Sequence, residues 1–183
     1  MDALGILTDR TGSARSGKLD RPARARRLFL MISAWRIVKR KRARAAFTGE
    51  GARLYGGRWN SAGASIVYTA GSQSLAALEM VVHLDSSELL DRYLVFEVGI
   101  DESLVARVEL ADLPRNWRAD PPSMKVREVG DAWATAGTSA VLQVPSAILP
   151  AEHNFLLNPR HPDFPRLVIG SPSAFRFDPR LAL

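Results

Sequence analysis

Residues 65–84 read Ser65-Ile66-Val67-Tyr68-Thr69-Ala70-Gly71-Ser72-Gln73-Ser74-Leu75-Ala76-Ala77-Leu78-Glu79-Met80-Val81-Val82-His83-Leu84. Two kinds of segment meet inside this stretch. Residues 65–70 are short, β-branched and aromatic, which predicts a strand. Ser72 stands where its hydroxyl can accept a hydrogen bond from a first-turn amide, which predicts a helix from there through Leu84. Leu75, Leu78, Val81, Val82 and Leu84 give that helix one broad apolar face. Ser72, Ala76, Glu79, His83 and Ser86 share another stripe at helical spacing. That stripe either points at water or holds the Glu79 carboxylate at the mouth of a cleft, and the sequence leaves both open.

Working outward, the pattern is strand-rich. Residues 32–38 form a strand-like run with Arg36 inside it, and residues 36–44 continue into a basic loop or helix turn. Residues 52–60 carry Gly56-Gly57, a turn signal with no need of a helix. Residues 93–100 alternate, with Leu94, Phe96, Val98 and Ile100 on one side, and residues 104–110 follow as another strand after an Asp101-Glu102 turn. A proline-bearing loop over 111–123 leads to a helix over 127–136 that Gly137 ends. Strands over 139–144 and 167–169 complete the chain. Strands in neighbouring runs, without strict βαβ alternation, predict an α+β fold with one core.

Charge is placed unevenly. The chain of 183 residues has 25 Lys+Arg against 19 Asp+Glu, and its basic balance taken whole points to a nucleic-acid binder. Residues 1–58, however, hold 15 Lys/Arg and 4 Asp/Glu, a net of +11, whereas residues 59–183 hold 10 and 15, a net of −5. Residues 1–30, rich in Gly, Ser and Arg and without periodicity, read as a basic disordered tail or an over-extended start before Met31. The folded domain is expected over 31–183. Absence of cysteine excludes a disulfide framework, a thiol nucleophile and a cysteine metal site. His83, His153 and His161 lack metal-ligand spacing, so no metal is expected. No apolar run has the length of a membrane span, and Leu28 to Ile32 after Arg26-Arg27 is too short for a secretory signal. A soluble, cytoplasmic, metal-free protein is the expectation.

Three features carry possible chemistry. Arg36 in a strand is either a solvated edge residue or an anion contact, since guanidinium grips phosphate or carboxylate as a fork. The block Arg53-Leu54-Tyr55-Gly56-Gly57-Arg58-Trp59-Asn60 is either a tight turn with an aromatic plug or a nucleotide-binding loop. In the second case the glycines let backbone amides approach phosphates while Tyr55 and Trp59 offer flat surface. Glu79 is the third feature. Ser146, just after Pro145, is weaker and equally suits a turn or cap. No Ser-His-Asp arrangement, Walker loop or dinucleotide glycine motif is present.

Arg36, Glu79 and Ser146, in that order and context, resemble the signature of the RES domain family. So do the run from Phe47 through Gly56-Gly57-Arg58-Trp59-Asn60, the stretch from Val67 to Leu84, and Val144 to Phe164 with its Asn-Pro-Arg-His-Pro. Together these blocks extend over roughly residues 34–180. The resemblance implies an ADP-ribosyltransferase-like fold of small β-sheets around an NAD+ cleft, with helices outside. It also implies an NAD+-consuming enzyme of glycosyltransferase or ADP-ribosyltransferase type that breaks the nicotinamide–ribose bond. ADP-ribose would then pass to phosphate, water or a protein acceptor. In that reading Glu79 is the catalytic carboxylate, Arg36 binds the NAD+ phosphates or ribose, and Ser146 holds the substrate. Arg53 and Arg58 contact phosphates, and Tyr68, with Tyr55 second, stacks on nicotinamide. The implied partner is an Xre-type helix-turn-helix antitoxin that blocks the cleft of the toxin in a hetero-oligomer. A protein-modifying ADP-ribosyltransferase is the alternative, and a basic nucleic-acid-binding module over residues 10–58 the remote one. Two features depart from the family pattern: the basic tail and the run of cations from Lys39 to Arg44.

Overall fold

Within residues 65–84 a strand, the Ser72 cap and a helix form in the predicted order in a computed structural model, which describes residues 31–84 and 92–181. The expected tail over 1–30, and Ser86, lie outside the described residues. In chain order the elements are β1 (Met31–Lys39), α1 (Glu50–Tyr55), β2 (Val67–Ala70), α2 (Gln73–Val81), β3 (Tyr93–Asp101) and β4 (Val105–Arg107). There follow α3 (Met124–Ala136), β5 (Val141–Pro145), β6 (His153–Leu157), β7 (Val168–Ile169) and β8 (Ser173–Phe175). The fold is α+β, as expected.

The strands connect in the order β4-β5-β6-β2-β1-β3-β7, with β8 also on β3. Only the β4–β5 pair is parallel among the described strands. β1 pairs with β3 along its whole length, from Met31↔Asp101 to Lys39↔Tyr93. Between β1 and β2 the register is a single pair, Trp35↔Ala70. The sheet therefore divides into two halves, β4-β5-β6-β2 and β1-β3-β7/β8, that touch at one point and diverge from it. Ala34, Val98 and Ile100 from one half pack into the same buried cluster as Val67, Val141, Phe155 and Leu157 from the other.

Helices cover the outer surfaces. Leu75 and Ala76 of α2 pack with Ile37, Val95 and Tyr93, so β3 is buried on both faces along its first half. Phe96, Val98 and Ile100 are buried on the predicted side, Leu94 is half-buried there, and Tyr93 and Val95 are buried opposite. Burying a side chain such as Leu75 contributes roughly 1.5–3 kcal/mol. Val126 and Trp133 of α3 join Trp59, Leu142, Val144 and Leu156 in a second cluster. Gly130 permits this contact, because a Cβ there would run into the Trp59 carbonyl.

Several boundaries differ from the sequence reading. α2 ends at Val81, and Val82 is exposed rather than part of the buried face. Residues 50–55 are helical where only a turn was expected; Gly49 and Gly56, both at positive φ, begin and end that short helix. The strand expected over 104–110 shrinks to three residues between two 3-10 turns. β6 and β8 went unpredicted. The basic run does form a helical turn, a 3-10 segment over Arg40–Ala45. Gly137 ends α3 at φ 58, as predicted.

Candidate functional site

A cavity of about 330 Å³ opens where the two halves of the sheet part. That is within the range of small-molecule sites. Its walls come from β1, β2, α2, the loop after α1, and the segment around Ala147 and Asn154.

Arg36 marks the point of divergence. One residue beyond the Trp35↔Ala70 pair, its Nη1 donates to the Tyr68 carbonyl at 2.6 Å and its Nε to the Ala46 carbonyl at 2.7 Å. The guanidinium thus gives the β2 carbonyl of Tyr68 a donor where β1 has parted from β2, and ties the end of the 3-10 turn at Ala46 to the same point. Burial pushes its pKa down to about 10, which leaves it a cation at neutral pH. Arg36 is therefore held within the protein and also lines the cavity.

The Gly-Gly block forms the tight turn with an aromatic plug, and part of it also reaches the cavity. Trp59 is a plug, 2% exposed and stacked near Trp117 with centroids 6.2 Å apart. Gly56, Gly57 and Arg58 line the cavity. Tyr68 crosses beneath them: its hydroxyl donates to Asn60 Oδ1 at 2.7 Å and accepts from the Trp59 amide at 3.1 Å. A Cβ on Gly57 would stand 2.5 Å from the Tyr68 hydroxyl, so only glycine lets the chain pass there. Burial, the first cause, raises the Tyr68 pKa well above the ordinary phenol value. Arg58 Nη1 donates to the carbonyls of Trp117 at 3.2 Å and Ala119 at 2.8 Å, which ties the cavity rim to the 111–123 loop.

Glu79 lies on the cavity wall with Ala76 and Met80 from the same helix and His83 from the turn that follows it. Ala76, Glu79 and His83, three members of the stripe that the sequence left undecided, therefore face the cleft. Two donors converge on Glu79 Oε1, the Ser146 hydroxyl at 2.7 Å and Asn154 Nδ2 at 2.8 Å. Oε2 accepts from neither. Ser146 is fully buried, and its Oγ accepts from the amides of Ile148 and Leu149, both at 3.2 Å. With its proton given to Glu79 and its lone pairs given to two amides, Ser146 orients the carboxylate from behind. Asn154 is held the right way round by Glu79, since a flipped amide would set oxygen against oxygen. Its own Oδ1 is buried without a partner.

Of the seven residues singled out from sequence, Arg36, Arg58, Tyr68 and Glu79 line the cavity, and Ser146 stands directly behind Glu79. Arg53 and Tyr55, carried out on α1, do not line it. Arg53 forms a forked pair with Glu50 at 2.6 and 2.9 Å, and Tyr55 is 83% exposed. Sequence reasoning missed Asn154. Its signal was a polar residue two positions before Leu156 in an apolar run flanked by prolines, which marks one face of a buried strand. Among the described residues no group of three or more His, Cys, Asp or Glu could hold a metal ion. No helix among them is long and apolar enough to cross a membrane.

Residues 33–178 match the RES domain family. The chain is 41% identical over 148 residues to a protein named Toxin Res from Yersinia enterocolitica (serotype O:8 / biotype 1B), covering 80% of this chain and 97% of that one. It is 42% identical over 158 residues to a Prs ADP-ribosylating toxin from a Sphingobium species, covering 83% and 98%. Among solved structures, the M. tuberculosis MbcT–MbcA toxin–antitoxin complex contains a chain of like fold. The TM-score is 0.66 at 18% identity, over 83% of this chain and 87% of that one.

Proposed function

The chain belongs to the RES domain family, and on that premise we propose that it is the toxin of a toxin–antitoxin pair and cleaves the nicotinamide–ribose bond of NAD+. The observation that carries the reading is Glu79: one carboxylate, fixed by two donors on a single oxygen, in the wall of a cavity it shares with Arg36 and Arg58. In this reaction the bond between ribose C1′ and the pyridine nitrogen breaks, and its electron pair leaves with nicotinamide as a neutral molecule. Positive charge develops on the ribose, and an oxygen of the acceptor then bonds to C1′ and gives up a proton. A carboxylate held near the sugar stabilises that charge more in the transition state than in the ground state. No general acid is needed for a leaving group that departs neutral, so one carboxylate suffices. Arg58 and Arg36 supply positive charge for the pyrophosphate, and the Tyr68 ring supplies a flat wall for nicotinamide.

Relatives named as toxins, and a structural neighbour solved as a toxin–antitoxin complex, support the biological half of the reading. The partner on this account is an antitoxin of Xre type that covers the cleft, and the place of action is the cytoplasm. Incubation with NAD+, with and without inorganic phosphate, and mass analysis of the products tests the chemistry. ADP-ribose-1″-phosphate identifies phosphorolysis, and free ADP-ribose identifies hydrolysis. A second reading, transfer of ADP-ribose to a protein, is favoured by the printed name of the Sphingobium relative. A protein that gains the mass of ADP-ribose in the same assay selects it. Intact NAD+ in every arm overturns both.

A further inference from the structure

Glu152 lies outside the cavity lining, yet it joins the two pieces of chain that meet at Glu79. Its carboxylate Oε2 accepts from the Ser72 hydroxyl at 3.1 Å. Ser72 is the N-cap of α2, and its Oγ accepts from the Leu75 amide at 3.0 Å. The Glu152 carbonyl accepts from the Ser146 amide at 2.9 Å, and the Glu152 amide donates to the Leu149 carbonyl at 2.8 Å. Ser146 in turn donates to Glu79. The bonds close a ring from Glu79 to Ser146, through the backbone of Glu152 to its side chain, then to Ser72, and along α2 back to Glu79. The main chain of Glu152 fixes the turn that aims Ser146, while its side chain fixes the start of the helix that carries Glu79.

We propose that Glu152 is a positioning residue, which sets where the Glu79 carboxylate stands by tying the α2 N-cap to the Ser146 turn. The inference rests on the NAD+-cleaving reading of the site. Among the described residues of the ring, this side chain joins α2 at its N-cap, Ser72, rather than at Glu79 itself. Without it, the start of α2 is tied to this segment by main chain alone, through the Gly71 amide that donates to the His153 carbonyl at 2.9 Å, and the Ser72 hydroxyl loses the acceptor that fixes the cap. A misplacement of about 1 Å at a reacting group costs on the order of 100-fold in rate. Glutamine at this position keeps an oxygen that accepts from Ser72, so the tie depends on the acceptor and not on the charge.

The test is steady-state NAD+ turnover by the full chain and its Glu152→Ala and Glu152→Gln variants, with thermal unfolding measured on each. Glu152→Ala should lower kcat roughly tenfold to a hundredfold and leave KM within about twofold, since Glu152 does not itself line the cavity. Glu152→Gln should restore kcat to within about threefold of wild type on the same grounds. In the Ser72→Ala background, Glu152→Ala should add no further loss, because both changes cut the same bond. Unchanged kcat in Glu152→Ala overturns the inference, as does a loss that glutamine fails to restore. Losses that add across the Ser72 and Glu152 variants overturn it too, and so does a loss that merely tracks the unfolded fraction. A wild-type chain that leaves NAD+ intact overturns the underlying reading, and the inference with it. Active wild type with equally active Glu152→Ala overturns the inference alone.

Discussion

Arg36→Ala should destabilise the protein as well as disarm it, and the size of the effect follows from two bonds. Nε and Nη1 are the donors to the Ala46 and Tyr68 carbonyls. Ala46 is buried and Tyr68 half-buried, at the place where the β1–β2 ladder stops after a single pair. Truncation leaves both carbonyls without that donor, and each such group costs roughly 1–3 kcal/mol. The removed cation no longer has to be desolvated, and its lowered pKa records that cost, so the low half of the summed range applies, about 3 kcal/mol. For a domain of this size that corresponds to a Tm lower by roughly 6–12 °C. Arg36→Lys should fall between wild type and Ala, because one ammonium cannot reproduce a planar fork that spans two acceptors. Urea unfolding followed by circular dichroism reads the difference in midpoint at constant m-value. A midpoint for Arg36→Ala that matches wild type would refute the idea that this side chain closes the gap between the sheet halves. Arg36 would then be a ligand contact alone.

Three other expectations follow from the geometry. Gly57→Ala sets a methyl 2.5 Å from the Tyr68 hydroxyl; overpacking of this kind costs about 1–3 kcal/mol, and calorimetry should find it with a matching loss of turnover. Asn154→Asp replaces a donor to Glu79 Oε1 with a second carboxylate, so it should reduce kcat more than Asn154→Ala does in the same turnover assay. The raised pKa of Tyr68 means that the folded state holds this phenolic proton more tightly than the unfolded chain. The stabilisation that results is complete below the unfolded phenol value of about 10 and is lost as pH rises above it. Denaturant midpoints measured across that window should fall, and less steeply in Tyr68→Phe.

What the sequence made legible was mostly local. The cap at Ser72, the stop at Gly137 and the alternation that sets Phe96, Val98 and Ile100 on one side of a strand each depend on neighbours a few residues away, and each formed. Glu79 and Ser146 could be named from their resemblance to a family signature, but their bond spans 67 positions and needs the fold to bring it about. β6 was missed because His153 and Asn154 dilute the apolar signal of Phe155, Leu156 and Leu157, and Asn154 was missed with it. The strand is central nonetheless, paired to β2 and β5 along its length. Arg53 and Tyr55 show how far local sequence reaches in the other direction. Proximity in sequence to Gly56-Gly57 suggested the cleft, whereas an unforeseen short helix carries both away from it. The dual duty of Arg36 had no local signal at all, since it exists only because β1 and β2 part after one register pair. The basic composition also changes meaning: Arg40, Lys41, Arg42 and Arg44 are exposed on a 3-10 turn, while Arg36 and Arg58 line a cavity that fits a small ligand.

The central claim is that the Glu79 carboxylate drives loss of nicotinamide from NAD+. Release of nicotinamide by wild type and Glu79→Gln, each shown to be folded by its thermal transition, tests it most directly. The account predicts release by wild type and a fall on the order of 100- to 1,000-fold in the variant, with Tm little changed. Equal rates in the two folded proteins would contradict it.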